Sequence, residues 1–296
     1  MRHRAFIAGY GLALLALGVS GCAGLGNAWH ERSESHGAAL SAVTAESQRL
    51  SEEARAAIDR QDEPAALALL QRLVQLTPKS AEAHHRLGRV LQSQGRLAEA
   101  AASYLRALEL DREYVDAMIG LGTIEAESGD PAQALKRFES AIEIDPHTAE
   151  AHLARARALE ALSRPDDALA AYFRALEFDP NSHDARLRVA TLQLDRGQSD
   201  QALARLDRLV EQNPEDAEAR YQRGRAHLAL NHPGQAVGDL KFASTKLPER
   251  ADVHYRLALA FSATRASRPP RWPPPRCLKL APGSAEARNL TEQLRR

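Results

Sequence analysis

The chain has 296 residues, with 39 basic and 39 acidic side chains and so no formal net charge. Its 44% apolar and 26% charged content is that of globular protein and excludes a disordered or wholly membrane-embedded chain. Balanced charge offers no electrostatic basis for binding nucleic acid, and two cysteines exclude a disulfide framework and a thiolate zinc site. Aromatic residues are few at 5%, while Ala, Leu, Glu, Arg and Gln dominate, which are residues that favour helix.

In chain order, the first feature is a targeting segment. Arg2, His3 and Arg4 form a positive start, and Ala5 to Val19 is mostly apolar and followed by small residues, the layout of a secretory signal. The apolar run is short for a membrane span, which needs about 20 residues. Val19-Ser20-Gly21-Cys22 resembles the bacterial lipobox. That resemblance implies cleavage before Cys22, attachment of diacylglycerol to its thiol and acylation of the new amine. Several acyl chains hold a protein on a bilayer where one would not. Ala23 in place of Asp implies, by the same resemblance, an outer-membrane lipoprotein of the bacterial envelope facing the periplasm.

Residues 23–38 lack apolar periodicity and read as a flexible tether leading to a helical domain over 39–284. His30 and His36 with Glu31 and Glu34 do not have the i, i+4 histidine spacing of a zinc-binding helix.

From residue 47 the sequence repeats every 34 residues. Pro78, Pro146, Pro180, Pro214, Pro248 and Pro282 share one phase, with Arg112 in the remaining place. Ala66, Ala100, Ala134, Ala168, Ala202 and Ala236 keep step, each followed four residues later by Leu70, Tyr104, Phe138, Tyr172, Leu206 or Leu240. Leu87-Gly88 and Leu121-Gly122 recur as Arg155-Ala156, Val189-Ala190, Arg223-Gly224 and Leu257-Ala258. This pattern resembles the tetratricopeptide repeat (TPR), with its W-x₂-L-G-x₂-Y, A-x₃-F and P landmarks.

The resemblance implies an all-α, right-handed α-solenoid of about seven helix pairs, A and B, over 47–284, with 285–296 as a polar capping helix. Pro131, Pro165 and Pro233 suit the first position of helix B, where a missing N–H costs nothing. Ser80, Thr148, Ser182, Asp216 and Ser284 are expected N-caps of the following helices. Unit 7 departs from the pattern: five prolines between Pro269 and Pro275 leave no room for a helix B over 264–276. The phase nevertheless resumes at Pro282, which fits two compensating one-base shifts over an ordinary repeat.

Nothing in the pattern suggests catalysis. There is no phosphate-cradling glycine loop, no G-x-S-x-G and no H-E-x-x-H, so neither an enzyme nor a cofactor or metal site is expected. His84, His152 and His254 share one repeat position, where packing is the expected role, and Cys277 is a lone thiol.

In this family helix A lines the concave surface, so its positions are the candidate site. Position 2 reads Glu82, Asp116, Glu150, Asp184, Glu218 and Asp252, acids that suit the first turn of a helix without a ligand. Position 5 reads His85, Ile119, Leu153, Leu187, Tyr221 and Tyr255, expected to form an apolar ladder open to solvent. Position 9 carries Arg89, Arg157 and Arg225, which have no acid four residues away, whereas Arg86, Arg188 and Arg256 follow one and are expected to pair with it. The expected function is a non-enzymatic scaffold that holds a peptide or helix of a partner protein in this groove, with a catalytic accessory or a purely structural spacer in the periplasm as the alternatives. The architecture resembles pilotin lipoproteins of type IV pilus systems and envelope adaptors of peptidoglycan hydrolases.

Overall fold

The computed structural model describes residues 42–264, and no strand occurs among them. A helix α1 over 42–59 is followed by twelve more in strict alternation. The B-type helices are α2 (Glu63–Leu76), α4 (Leu97–Leu110), α6 (Pro131–Ile144), α8 (Pro165–Phe178), α10 (Ser199–Gln212) and α12 (Pro233–Lys246). The A-type helices are α3 (Ala81–Ser93), α5 (Val115–Glu127), α7 (Ala149–Ala161), α9 (His183–Asp195), α11 (Ala217–Ala229) and α13 (Ala251–Ala263). Each type keeps the 34-residue step at both ends, so the period in the sequence is the period of the fold.

Two compact units divide the chain, one up to Ala83 and one from His84. In the first, α1 and α2 bury Leu50, Ala54 and Ala57 with Ala66, Leu70 and Leu73, and Arg72 pairs with Glu46 at 2.6 Å. α1 starts five residues before the first repeat position at 47.

The second unit shows why the landmarks recur. All the phased alanines from Ala100 to Ala236 are fully buried, and the large side chains four residues on are almost as inaccessible. A Cβ on Gly88 would lie 2.8 Å from the Tyr104 ring, one on Gly122 would lie 2.6 Å from Phe138, and one on Gly224 would lie 2.6 Å from Leu240. The small residue of helix A is thus the seat of the large residue of helix B. Tyr104 is also met from the next unit, where a Cβ on Gly120 would fall 2.5 Å from the ring. Such interlocking between neighbours is what a repeat that cannot bury its own apolar face requires.

The turns repeat as faithfully. Gly95, Gly129 and Gly197 carry positive φ between the helices of a pair, and Gln61, Ser163 and Asn231 adopt φ of 57–59° at the corresponding places. After helix B, the backbone N–H groups of Glu113, His147, Asn181 and Glu215 donate to the side chains of Asp111, Asp145, Asp179 and Asn213. This side-chain turn persists at Asp111-Arg112, and so explains why that repeat folds without the phased proline.

Pro131, Pro165 and Pro233 open their helices as expected. Asp216 caps α11 through the N–H groups of Glu218 and Ala219, and the Ser80 hydroxyl accepts from the N–H of Ala83. Thr148 and Ser182 stand at N-caps but make no side-chain cap, and the Thr148 hydroxyl donates to Asp145 instead. Cys22, the tether 23–38, Cys277, the proline-rich segment after Thr264 and the expected capping helix 285–296 lie outside the described residues. Among the described residues no helix is long and apolar enough to cross a membrane.

Candidate partner-binding groove

Within the second unit successive A helices touch, α5 with α7, α9 with α11 and α11 with α13, so positions 2, 5 and 9 of neighbouring repeats share one face. The apolar ladder expected there is only partly a surface. Ile119 is 3% exposed and Tyr221 4%, and each belongs to a core cluster, while Leu153 and Leu187 are half-buried against the core. Tyr255 is half-buried and His85 is buried, its ring 5.9 Å from that of Tyr104. The expectation of a solvent-open row therefore fails at His85, Ile119 and Tyr221, because packing against neighbouring helices covers them.

The expected ion pairs are also rearranged. Arg157 is not free: it meets Asp184 of the next repeat at 2.8 Å. Arg225 is not free either, reaching Asp195 at 2.7 Å and donating to Gln222. Arg188 pairs not with Asp184 but with Glu160 at 2.5 Å, a carboxylate that also accepts from the Tyr172 hydroxyl. Burial of Tyr172 and the Glu160 charge both push its pKa up. Asp252 is taken by Arg250 and by the Tyr221 hydroxyl; these bonds outweigh burial and hold its carboxyl below the ordinary range. Tyr221 itself is pushed up to about 12, chiefly by burial. Arg250 also pairs with Glu218 and lies over the Tyr221 ring at 4.6 Å. From α9 to α13 the position-2 acids are thus claimed by neighbouring arginines.

The α3–α7 end differs. A cavity of about 300 Å³ opens there between helices, with His85, Tyr104 and Ile119 forming its apolar part. Gln92 and Thr123 line it too, but Gln92 accepts from the Tyr104 hydroxyl and the Thr123 hydroxyl donates to the Ile119 carbonyl oxygen. Arg89, Asp116 and Glu150 complete the lining. None of these three makes an ion pair or side-chain hydrogen bond with another described residue, although Arg89 and Asp116 stand at the repeat positions of Arg157 and Asp184. The Tyr104 hydroxyl is pushed up to about 12, mainly by burial, with Arg89 opposing the shift. Sequence reasoning included Arg89 but assigned Asp116 and Glu150 only to the helix dipole. Their distinction is that no arginine side chain reaches them, which spacing along one helix does not reveal.

The shared histidine position is structural at two of its three places. His152 and His254 are buried, and the ring Nε2 of each lies 2.9–3.0 Å from the carbonyl oxygen of Pro146 or Pro248. Among the described residues no group of His, Cys, Asp or Glu has the arrangement to hold a metal ion.

Helix pairs in fixed register, with a shared A-helix face, define a helical-repeat protein of the interaction class. Tetratricopeptide-repeat family models match residues 79–146, 119–183 and 159–228, together about half of the chain, and the chain belongs to this family. Among solved structures it is similar to PilF of Pseudomonas aeruginosa, at 16% identity and a TM-score of 0.65 over 77% of this chain and 100% of that one. It is similar also to a thermophilic TPR protein of Thermus thermophilus, TTC0263, at 25% identity and 0.52 over 62% and 99%. A third is YrrB, described as a TPR protein with an unusual peptide-binding site, at 24% identity and 0.51 over 66% and 97%. No curated protein matches the chain significantly.

Proposed function

We propose that the protein is a lipid-anchored scaffold of the bacterial envelope that holds a segment of a partner protein in its A-helix groove, and that the segment enters at the α3–α7 end. One observation carries this reading: the cavity beside Ile119, where Arg89, Asp116 and Glu150 stand unpaired among the described residues while the equivalent groups further along are neutralised. Charged side chains left without partners around an apolar floor suit a peptide that supplies both. Two carboxylates against one guanidinium favour a segment bearing a basic residue, with Leu153 and Leu187 extending the apolar contact.

Family membership supports protein binding in general, and the lipobox-like Val19-Ser20-Gly21-Cys22 supports the anchor. A place in the assembly of an envelope machine rests on that anchor and on the repeat architecture together.

Photocrosslinking in cells tests the groove: a photoreactive residue at Glu150 should give a discrete adduct that Asp116→Asn weakens. Absence of adducts from both Glu150 and Leu187 would contradict it. Fractionation tests the anchor: Cys22→Ser should release the chain from membranes, and continued co-sedimentation with the outer membrane would overturn it.

A further inference from the structure

Two clefts in the second unit lie between consecutive B helices rather than on the A-helix face. One, of about 450 Å³ between α8 and α10, is lined by Leu176, Leu209, Arg186, Arg205, Arg208 and Glu211. The other, of about 330 Å³ between α4 and α6, is lined by Leu108, Met118, Arg112, Lys136 and Arg137, with no acid in its wall. They are the same place in the fold two repeats apart: Leu108 corresponds to Leu176, Met118 to Arg186 and Arg137 to Arg205.

The arginines of the α8/α10 cleft are unlike most others in the protein. Arg186 donates to the amide oxygens of Gln212 and Asn181, at 3.0 and 3.1 Å. Arg205 donates to the Gln193 amide at 3.1 Å and lies over the Phe173 ring. Arg208 makes no ion pair or hydrogen bond with another described residue. Neutral amides orient the first two guanidinium groups without cancelling their charge, and Glu211 balances only one of the three.

The two neighbouring junctions are filled differently. At α6/α8 the place of Arg186 is taken by His152, stacked on Phe178 at 5.5 Å, and the place of Arg208 by Arg174, paired with Glu177 at 2.5 Å. At α10/α12 Arg220 bonds the Pro214 carbonyl at 2.6 Å and covers Phe242 at 4.2 Å.

We infer that the α8/α10 cleft is a second binding site, which takes the carboxylates of an acidic segment of a partner protein, with apolar side chains of that segment on Leu176 and Leu209. Guanidinium forks match carboxylates in two parallel hydrogen bonds, and such bonds are about twice as strong as neutral ones. The cleft falls within the roughly 300–1,000 Å³ of ordinary ligand sites, so it admits more than a lone ion. The α4/α6 cleft, where Arg137 is paired with Glu125 but Arg112 and Lys136 are unpaired among the described residues, continues the same preference along the stack. This site is independent of the groove: its residues lie on other helix faces, and its ligand has the opposite charge.

The test is fluorescence anisotropy of the purified full chain with a labelled peptide of alternating Glu and Leu pairs, its Lys counterpart, and anionic phosphatidylglycerol vesicles. The Glu peptide should bind, the Lys peptide should not compete for the cleft, and added salt should weaken binding. Arg208→Gln should reduce affinity at least about tenfold, the loss expected for a charge-assisted hydrogen bond, and adding Arg186→Gln should reduce it further. Arg164→Gln, which removes a charge elsewhere, should leave it unchanged. Equal affinity in all variants, or capture by vesicles without binding of the Glu peptide, would overturn the inference. Arg208 is exposed and unpaired, so Arg208→Gln keeps the test valid even if Arg186→Gln melts early.

Discussion

Arg157 and Asp184 are 27 residues apart in sequence and 2.8 Å apart in space, joining position 9 of one helix A to position 2 of the next. The bond runs between repeats, so its acid is not one turn away on the same helix, and both side chains remain about half exposed. Such a pair contributes about 0–1 kcal/mol. Arg157→Ala should therefore shift thermal stability little. Asp184→Asn should free the guanidinium, make this stretch of the groove more positive and weaken capture of the basic segment, by an amount that shrinks with salt, as titration at two salt concentrations will read.

Gly122 and Phe138 form one seat and knob of the core. Because a Cβ there would fall 2.6 Å from the ring, Gly122→Ala should destabilise by about 1–3 kcal/mol, the cost of overpacking. Ala190 stands opposite Leu206 and Ala156 opposite Tyr172, all fully buried, so an alanine seat is accommodated where the facing side chain is placed for it. Phe138→Leu added to Gly122→Ala should then recover part of the loss, measured by urea unfolding.

Ser163 has a φ of 57° where three other repeats have Gly95, Gly129 and Gly197. Left-handed backbone costs a non-glycine residue roughly 1–2 kcal/mol, so Ser163→Gly should stabilise by something approaching 1 kcal/mol. Gly129→Ser should do the reverse. Midpoints of thermal unfolding distinguish the two.

Asp239 is 4% exposed and holds Arg223 by two bonds of 2.7 Å, with Asp207, Arg220 and His227 around it. Removing one partner of a buried pair costs about 3–5 kcal/mol in general, and Asp207 keeps part of the Arg223 charge balanced, so Asp239→Ala should fall near the lower end. Burial lowers the His227 pKa from its ordinary 6.5, outweighing the attraction of Asp239. The unfolded chain then binds the proton more readily, so this contribution to stability is present above pH 6.5 and is lost as pH falls through the lower folded value. His227→Gln should flatten that part of the stability–pH curve.

The fold was legible because period, small-residue seats and phased prolines are local in sequence. Arg112 looked like a lapse in the proline phase, yet the turn there depends on Asp111, which the sequence repeats as Asp145, Asp179 and Asn213. The groove was less legible. Spacing along one helix placed Ile119 and Tyr221 on the right face but could not show that neighbouring helices bury them. Nor could it see pairs between helices, such as Glu125 with Arg137 at 2.6 Å, or the Arg205 bond to Gln193. Both join position 11 of helix A to position 7 of helix B, where another repeat pairs Leu159 with Ala171. An offset of twelve residues would have found them.

Half-buried Leu187 is the groove position whose replacement separates contact from core. Leu187→Ser should reduce adduct formation from Glu150 with modest loss of stability, whereas Tyr221→Ser should unfold the repeat around it.

The most direct test of the scaffold reading is crosslinking in living cells with a photoreactive residue placed at Glu150 and, separately, at Leu187. The account predicts a discrete protein adduct from both positions, diminished by Asp116→Asn in a chain that still melts normally. Absence of adducts from both positions, with the protein folded and abundant, would contradict it.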